Sequence, residues 1–378
     1  MRTGYTGFRH VISGIFFLVL TASCMNDETW VENHKPNLSA EKVLKDGGVL
    51  VLNEGNFMYG NASLSYYNSQ TETVINDLFY RQNGIPLGDV AQSAVVYQGE
   101  LFVVLNNSGK IIAMNLGKYP SLKAFDFTHK ITGLQSPRYI HFFDDTKAYI
   151  SDLYSKSISI LDPATYTTSG RINLSNSNTD FYQHPSEQFV VFENEVFTNC
   201  YSFDDKILVI NPVTDKLTDS IEVLQQPNSM VLDKNGKLWA LCDGGFEGSA
   251  YGNNQPGLVR IDARTHTVEK VFILPEDNWP SKLCINGSLD TLYFINRDVW
   301  RMPVNSVKLP DSSFISAVSG SQVKNFFGLG VDPASSEIYV SDALDHVQNG
   351  VVYRYTHEGE GIDTFKVGII PGFFLFIN

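Results

Sequence analysis

Lys147-Ala148-Tyr149-Ile150-Ser151-Asp152, a polar break over 153–156, and Ser157-Ile158-Ser159-Ile160-Leu161-Asp162 form a pattern that this chain writes several times. It reads as two short strands joined by a loop and closed by a turn at Asp162-Pro163-Ala164-Thr165. The same pattern returns over 236–243 with 257–262, and over 337–342 with 350–355. A two-strand unit cannot bury its own apolar face in water. It must pack on neighbouring copies, so the repeat decides the architecture before any single residue does.

Seven such cores can be aligned, beginning near residues 48, 101, 147, 195, 237, 291 and 337. Over roughly 330 residues their mean period is about 48, which suits a four-stranded propeller blade and exceeds that of solenoid repeats. A short apolar run precedes most cores as an inner strand, as at 137–143, 227–232, 280–285 and 327–331. Runs such as 170–174 and 267–273 follow the cores as outer strands, so four strands per blade are expected. The first core has no inner strand before Gly47, yet the chain finishes with an apolar run after Pro371. The expected fold is therefore all-β, a seven-bladed propeller over 46–378 whose C-terminal strand completes the first blade and removes a free edge. Asp162, Asn211 and Asp262 recur at one turn position, which marks them as turn-forming and not as catalytic carboxylates.

The start of the chain obeys different rules. Arg2 and Arg9 precede an apolar run over 11–20 that is too short to span a bilayer as a mature helix and fits a signal peptide. The run ends in Leu20-Thr21-Ala22-Ser23-Cys24, which resembles a bacterial lipoprotein signal. On that reading 1–23 are removed, Cys24 carries lipid, and 24–45 form a flexible tether to the membrane. Met25-Asn26-Asp27-Glu28 resembles the acidic signal that sends lipoproteins to the outer face of the outer membrane. Cys200, Cys242 and Cys284 lie tens of residues apart in strand-like runs, so they read as buried thiols, with one disulfide between neighbouring repeats as the alternative, and no close metal-ligand spacing is present. A formal charge of -13, with no basic block, argues against nucleic acid.

In a propeller, the loops into each inner strand and the loops between second and third strands share one face. On this chain that face collects the candidate ligand contacts Phe57, Tyr59, Arg138, Tyr139, Tyr154, Tyr201, Phe246, Tyr251, Trp279, Phe327, His346 and Phe373. Phe373 is expected near the mouth of the channel. The longest insertion, 243–256, holds four glycines and two aromatics and reads as a mobile lip over a binding site. His184, His346, Asp89 and Asp243 are the groups an enzyme would have to bring together. No nucleophile elbow, His-Glu-x-x-His or phosphate loop is present, so the expectation is a binding protein without catalytic residues, metal or catalytic cofactor.

Val51-Leu52-Asn53-Glu54-Gly55-Asn56, followed by Ala62-Ser63-Leu64-Ser65-Tyr66-Tyr67, resembles the opening blade of the seven-bladed propeller lipoproteins of Bacteroidetes in the YncE-like group. Tyr339-Val340-Ser341-Asp342-Ala343 and Gly368-Ile369-Ile370-Pro371-Gly372-Phe373 are similar to the last blade of those proteins. The likeness spans about residues 48–378. It implies a surface protein that captures cobalamin as cargo and passes it to a TonB-dependent outer-membrane transporter. Two other readings stay open: a propeller that binds a glycan, peptide or partner protein, and a propeller hydrolase or lyase.

Overall fold

A strand packed between two blades is covered on both faces, whereas the outermost strand of a blade faces water on one side and along its edge. The computed structural model, which describes residues 35–36, 38–176, 184–249, 252–275 and 279–377, follows this rule. In the second strand of blade 2, Glu100–Leu105, all six residues are buried. The outer strands Thr167–Asn173, Lys216–Glu222 and Thr267–Ile273 each bury a single side chain: Ile172, Ile221 and Phe272. Each anchor lies opposite an apolar residue of the third strand, in the pairs Ile158↔Ile172, Ile207↔Ile221 and Leu258↔Phe272.

Seven sheets form the ring. Their inner strands are Pro371–Ile377, Ala91–Tyr97, Pro137–Asp144, Ser186–Phe192, Pro227–Leu232, Ser281–Ile285 and Phe326–Val331. The final strand pairs antiparallel with Gly48–Asn53, with Leu50 opposite Leu375 and Val51 opposite Phe374. The C-terminus therefore completes blade 1, as its apolar run after Pro371 predicts. The seam it closes is aromatic: Tyr67 stacks on Phe365 at 3.9 Å, and Tyr339 meets Phe376 edge-on at 5.4 Å. Gly330 sits against Phe374, where a Cβ would come within 2.8 Å of the phenylalanine side chain.

Blade 6 departs from the four-strand expectation. Among the described residues it has three strands, Ser281–Ile285, Thr291–Asn296 and Asp298–Pro303, and its outer edge is met by an isolated bridge from Val299 to Ile315 in place of a fourth strand. Pro303 and Pro310 cannot donate to a ladder, so the chain leaves the sheet there. Arg301 covers the edge instead, with its guanidinium 3.9 Å from the Phe314 ring centroid.

The tether expected to run to residue 45 ends earlier. Ala40–Asp46 is a helix capped by Ser39, whose hydroxyl accepts from the Lys42 amide at 3.1 Å. Val43, 1% exposed, docks in the core shared by blades 1 and 2 with Leu116 and Ala124. A second short helix, Leu78–Asn83, buries Leu78 and Phe79 in the same core. The turn acids behave as their repetition predicts. Asp162 accepts from Ala164 N, Asn211 from Val213 N and Thr214 N, and Asp262 from Arg264 N and Thr265 N.

Candidate functional site at the channel mouth

Every inner strand breaks register close to its start. The breaks fall between Ala91 and Ser93, Pro137 and Ile140, Ser186 and Phe189, Pro227 and Ser229, Ser281 and Cys284, and Phe326 and Leu329. The C-terminal strand has its break between Phe373 and Pro371, opposite Leu52 and Asn53. A bulge adds one residue to a strand, bends it and re-aims a side chain. Seven equivalent bulges thus ring one end of the channel, at Gln92, Arg138, Glu187, Asn228, Lys282, Phe327 and Gly372.

A bulge also takes a backbone amide out of the ladder, and a buried amide needs an acceptor. Buried side chains supply it. Tyr139 N donates to Ser151 Oγ at 3.0 Å, Gln188 N to Asn199 Oδ1 at 3.0 Å, and Gly328 N to Ser341 Oγ at 2.7 Å. In blade 6 a neighbouring blade serves, with Leu283 N donating to Ser229 Oγ, and just past the bulge of blade 5 Met230 N donates to the half-buried Gln188 Oε1 of blade 4. Polar stitches run from blade to blade as well. Ser93 Oγ donates to Arg138 O, Asn199 Nδ2 to Pro227 O, Asn228 Nδ2 to Pro280 O, and Lys282 Nζ to Gly372 O.

Inside this ring lies a cavity of about 310 Å³ lined by Gln92, Arg138, Tyr139, Glu187, Gln188, Tyr201, Asn228, Ser229, Asp243 and residues 279–282. Arg138 Nε meets Glu187 Oε1 at 2.6 Å across blades 3 and 4. Burial pushes the Glu187 carboxyl up against the pull of Arg138. Burial raises Tyr139 to about 12 and Tyr201 still further, so both present neutral hydroxyls. Asp243 is raised to about 6 by burial, opposed by bonds from Gly245 N and Asn228. Burial likewise lifts Glu54, against Lys282, Arg138 and His346. The Lys282 ammonium lies 5.3 Å from the Phe327 ring centroid and 4.0 Å from Glu54 Oε1. The wall therefore offers amides and phenols, with its charges largely balanced.

Four of the twelve candidate residues line this cavity: Arg138, Tyr139, Tyr201 and Trp279, the last 73% exposed. Phe327 and His346 meet edge-on at 5.6 Å on blade 7, and His346 is also 3.0 Å from Asn325 Nδ2. Phe57 and Tyr59 stand out from the loop of blade 1 at 64% and 79% exposure. That loop is held by Met58 N donating to Asp89 Oδ2 and Asn56 Nδ2 donating to His346 O. Tyr154 is exposed on blade 3 and is not among the residues lining the cavity. Phe246 packs edge-on against Phe203 at 6.2 Å. Tyr251 and Cys24 lie outside the described residues.

The closing segment reaches the channel mouth through Gly372, while the Phe373 side chain turns to the core. Phe373 packs between blades 1 and 2, and its neighbour Gly372 takes the bulge position, where a Cβ would meet Glu54 Oε1 at 2.2 Å. The stems of 243–256 are tied together, with Gly245 bridging Asn253 and Asn254 N donating to Gly244 O at 2.7 Å, while residues 250 and 251 lie outside the described residues. The three described cysteines are free thiols, two buried and Cys284 half-buried. Asp152 accepts from the amides of Gln135, Ser136, Tyr154 and Ser155, and Asp342 from those of Asn325 and Leu344. Both are loop caps, as their equivalent positions imply. Gln92, Glu187, Gln188 and Asn228 escaped the sequence reading, although a signal was present. They follow the start of each inner strand by one or two residues, most often after a proline.

A family model described as a domain of unknown function (DUF5074) matches residues 47–376. No curated protein matches the sequence. Among solved structures, a quinoprotein alcohol dehydrogenase-like protein from Bacteroides thetaiotaomicron is similar at TM-score 0.65 and 14% identity, covering 89% of this chain and 79% of the other. A functionally unknown protein from Desulfotomaculum acetoxidans is similar at TM-score 0.60 and 9% identity, covering 87% and 98%. Virginiamycin B lyase from Staphylococcus aureus is similar at TM-score 0.52 and 11% identity, covering 73% and 83%. At these identities the likeness establishes the propeller and carries no activity with it.

Proposed function

We propose that this chain, which belongs to the DUF5074 family, is a non-catalytic binding protein that holds a small soluble ligand at the mouth of its propeller channel. The observation behind this reading is the ring of seven bulges. Its backbone plan repeats in every blade, yet six blades carry six different side chains at the bulge and the remaining one a glycine. The turn acids of blades 3 to 5 repeat nearly one residue type for one structural task, whereas a recognition surface can draw a different group from each blade.

The cargo we propose is cobalamin or a related corrinoid, passed to a TonB-dependent transporter by a protein anchored through Cys24 on the outer face of the outer membrane. The sequence resemblance suggests this ligand, and the chemistry of the mouth suits it. Carboxamide side chains of a corrin ring can pair with Gln92, Gln188 and Asn228, while Trp279 and Tyr201 offer aromatic cover. The cavity takes only part of so large a ligand, and the rest would lie across the rim. Catalysis is disfavoured because Asp89, His184, Asp243 and His346 are engaged by four different sets of partners.

Isothermal titration of the purified full chain, in detergent, with cyanocobalamin and with cobinamide tests the proposal. One-to-one binding is expected, weakened at least roughly tenfold, or about 1.4 kcal/mol, by Trp279→Ala. Absence of both heat and competition at tens of micromolar overturns corrinoid capture. The second reading is then a partner protein, because Phe57, Met58 and Tyr59 are three consecutive apolar residues at 64%, 77% and 79% exposure.

A further inference from the structure

Beside the axial cavity, His184, Cys200 and Asp204 bring one ligand atom each to within 4.8 Å of one another. Their meeting follows from the strand register. Cys200 ends the second strand of blade 4 and lies opposite Ser186 of the inner strand, so His184, two residues earlier, arrives beside it. His184 has a φ of 47°, a left-handed conformation that costs energy for any residue other than glycine. Asp204 is fixed from outside the cluster, because its carbonyl accepts from Gln226 N at 2.8 Å and from Gln225 Nε2 at 3.3 Å. Its carboxylate meets His184 Nδ1 at 2.7 Å, and its other oxygen accepts from Asp205 N. Cys200 is fully buried, and the side chains of His184 and Asp204 are 16% and 11% exposed.

We propose that His184, Cys200 and Asp204 form a Zn²⁺ site at the mouth end of blade 4, with the fourth position open to water or a ligand group. One sulfur, one imidazole nitrogen and one carboxylate oxygen suit zinc, whereas magnesium and calcium prefer oxygen alone. Bond lengths of about 2.0–2.3 Å in a tetrahedron place ligand atoms roughly 3.3–3.6 Å apart. The cluster would reach that by opening its His184–Asp204 bond by roughly 0.6 Å and drawing the sulfur in. Binding takes the proton from the Cys200 thiol and releases it to solvent, so affinity rises with pH. Because Tyr201 follows Cys200 directly and lines the axial cavity, the metal would brace one wall of the ligand site. This inference stands whether or not the ligand is a corrinoid.

Cobalt titration of the full chain, stripped with a chelator, tests it. A cobalt–thiolate charge-transfer band should grow in and saturate at one equivalent, and zinc should displace it. Cys200→Ser should abolish the band, Cys284→Ser should leave it intact, and His184→Gln and Asp204→Asn should weaken binding at least tenfold. Matching near-ultraviolet circular dichroism of the metal-free variants shows that each has folded. If Cys200→Ser does not fold, the His184→Gln titration decides. No charge-transfer band, or a band that survives in Cys200→Ser or is unweakened in His184→Gln, overturns the proposal.

Discussion

The turn end and the mouth end of the propeller are built from the same strands and obey opposite rules. At the turn end, Asp162, Asn211 and Asp262 perform one task with nearly one residue type, accepting from the amides of the turn that follows. At the mouth end the backbone repeats a bulge seven times, and the residue it carries changes from amide to guanidinium, carboxylate, ammonium, ring and glycine. Repetition of both backbone and side chain marks scaffold. Repetition of backbone with divergent side chains is what the proposed ligand site requires.

Removal of residues 371–378 should break the comparison outright, because it takes both the inner strand of blade 1 and the last member of the bulge ring. Loss of the cooperative thermal transition in circular dichroism is expected, with the chain insoluble or molten. Survival of the transition would mean that the ring closes by some other contact.

Asp243→Asn separates the ends by pH. The folded Asp243 carboxyl is raised from 3.8 to about 6, so between those values the folded state binds more protons than the unfolded state. Stability contributed by this group is therefore present at low pH and is lost as pH rises through about 6, by at most roughly 3 kcal/mol at about 1.4 kcal/mol per unit. Glu54 and Glu187, raised by burial, act with the same sign. The asparagine can still accept from Gly245 N, so it should stabilise the protein at neutral pH and flatten part of the fall in melting temperature above pH 4. An unchanged profile would show that Asp243 does not titrate there. The equivalent change at Asp262, whose carboxyl Lys237 holds down at about 2, should destabilise at neutral pH.

Ser341→Ala and Asp162→Ala sharpen the contrast in energy. Ser341 is buried, and its hydroxyl serves Gly328 N and Pro371 O at once. Leaving those groups unpaired should cost about 1–3 kcal/mol in urea unfolding. Asp162 bonds an exposed turn amide that water can satisfy, so its loss should cost only about 0.5–1 kcal/mol. Equal losses would remove the argument that the bulge amides depend on buried acceptors.

Much of the scaffold was readable because the same local pattern had to solve the same burial problem in each blade. Blade 6 and the N-terminal helix were not. Prolines end the blade 6 ladder without saying what covers its edge, and Val43 is the one fully buried residue of a short helix whose other apolar neighbour, Leu44, stays 45% exposed, too little to announce a docking helix. The bulge of the closing strand, at Gly372, leaves no mark in the alternation of the sequence. One extra residue moves every side chain before it to the other face, which leaves Gly372 in the ring and turns Phe373 to the core.

The period, the blade number and the closing strand were thus determined by the sequence, since alternation and repeat length act locally and add up along the chain. Which side chains meet at the axis was decided by the tertiary structure. Arg138 and Glu187 are 49 residues apart, and the cavity joins groups from blades 2 to 6. A contact of that kind is set by the turn of the ring and the displacement at each bulge, which no stretch of sequence shorter than the whole circuit contains.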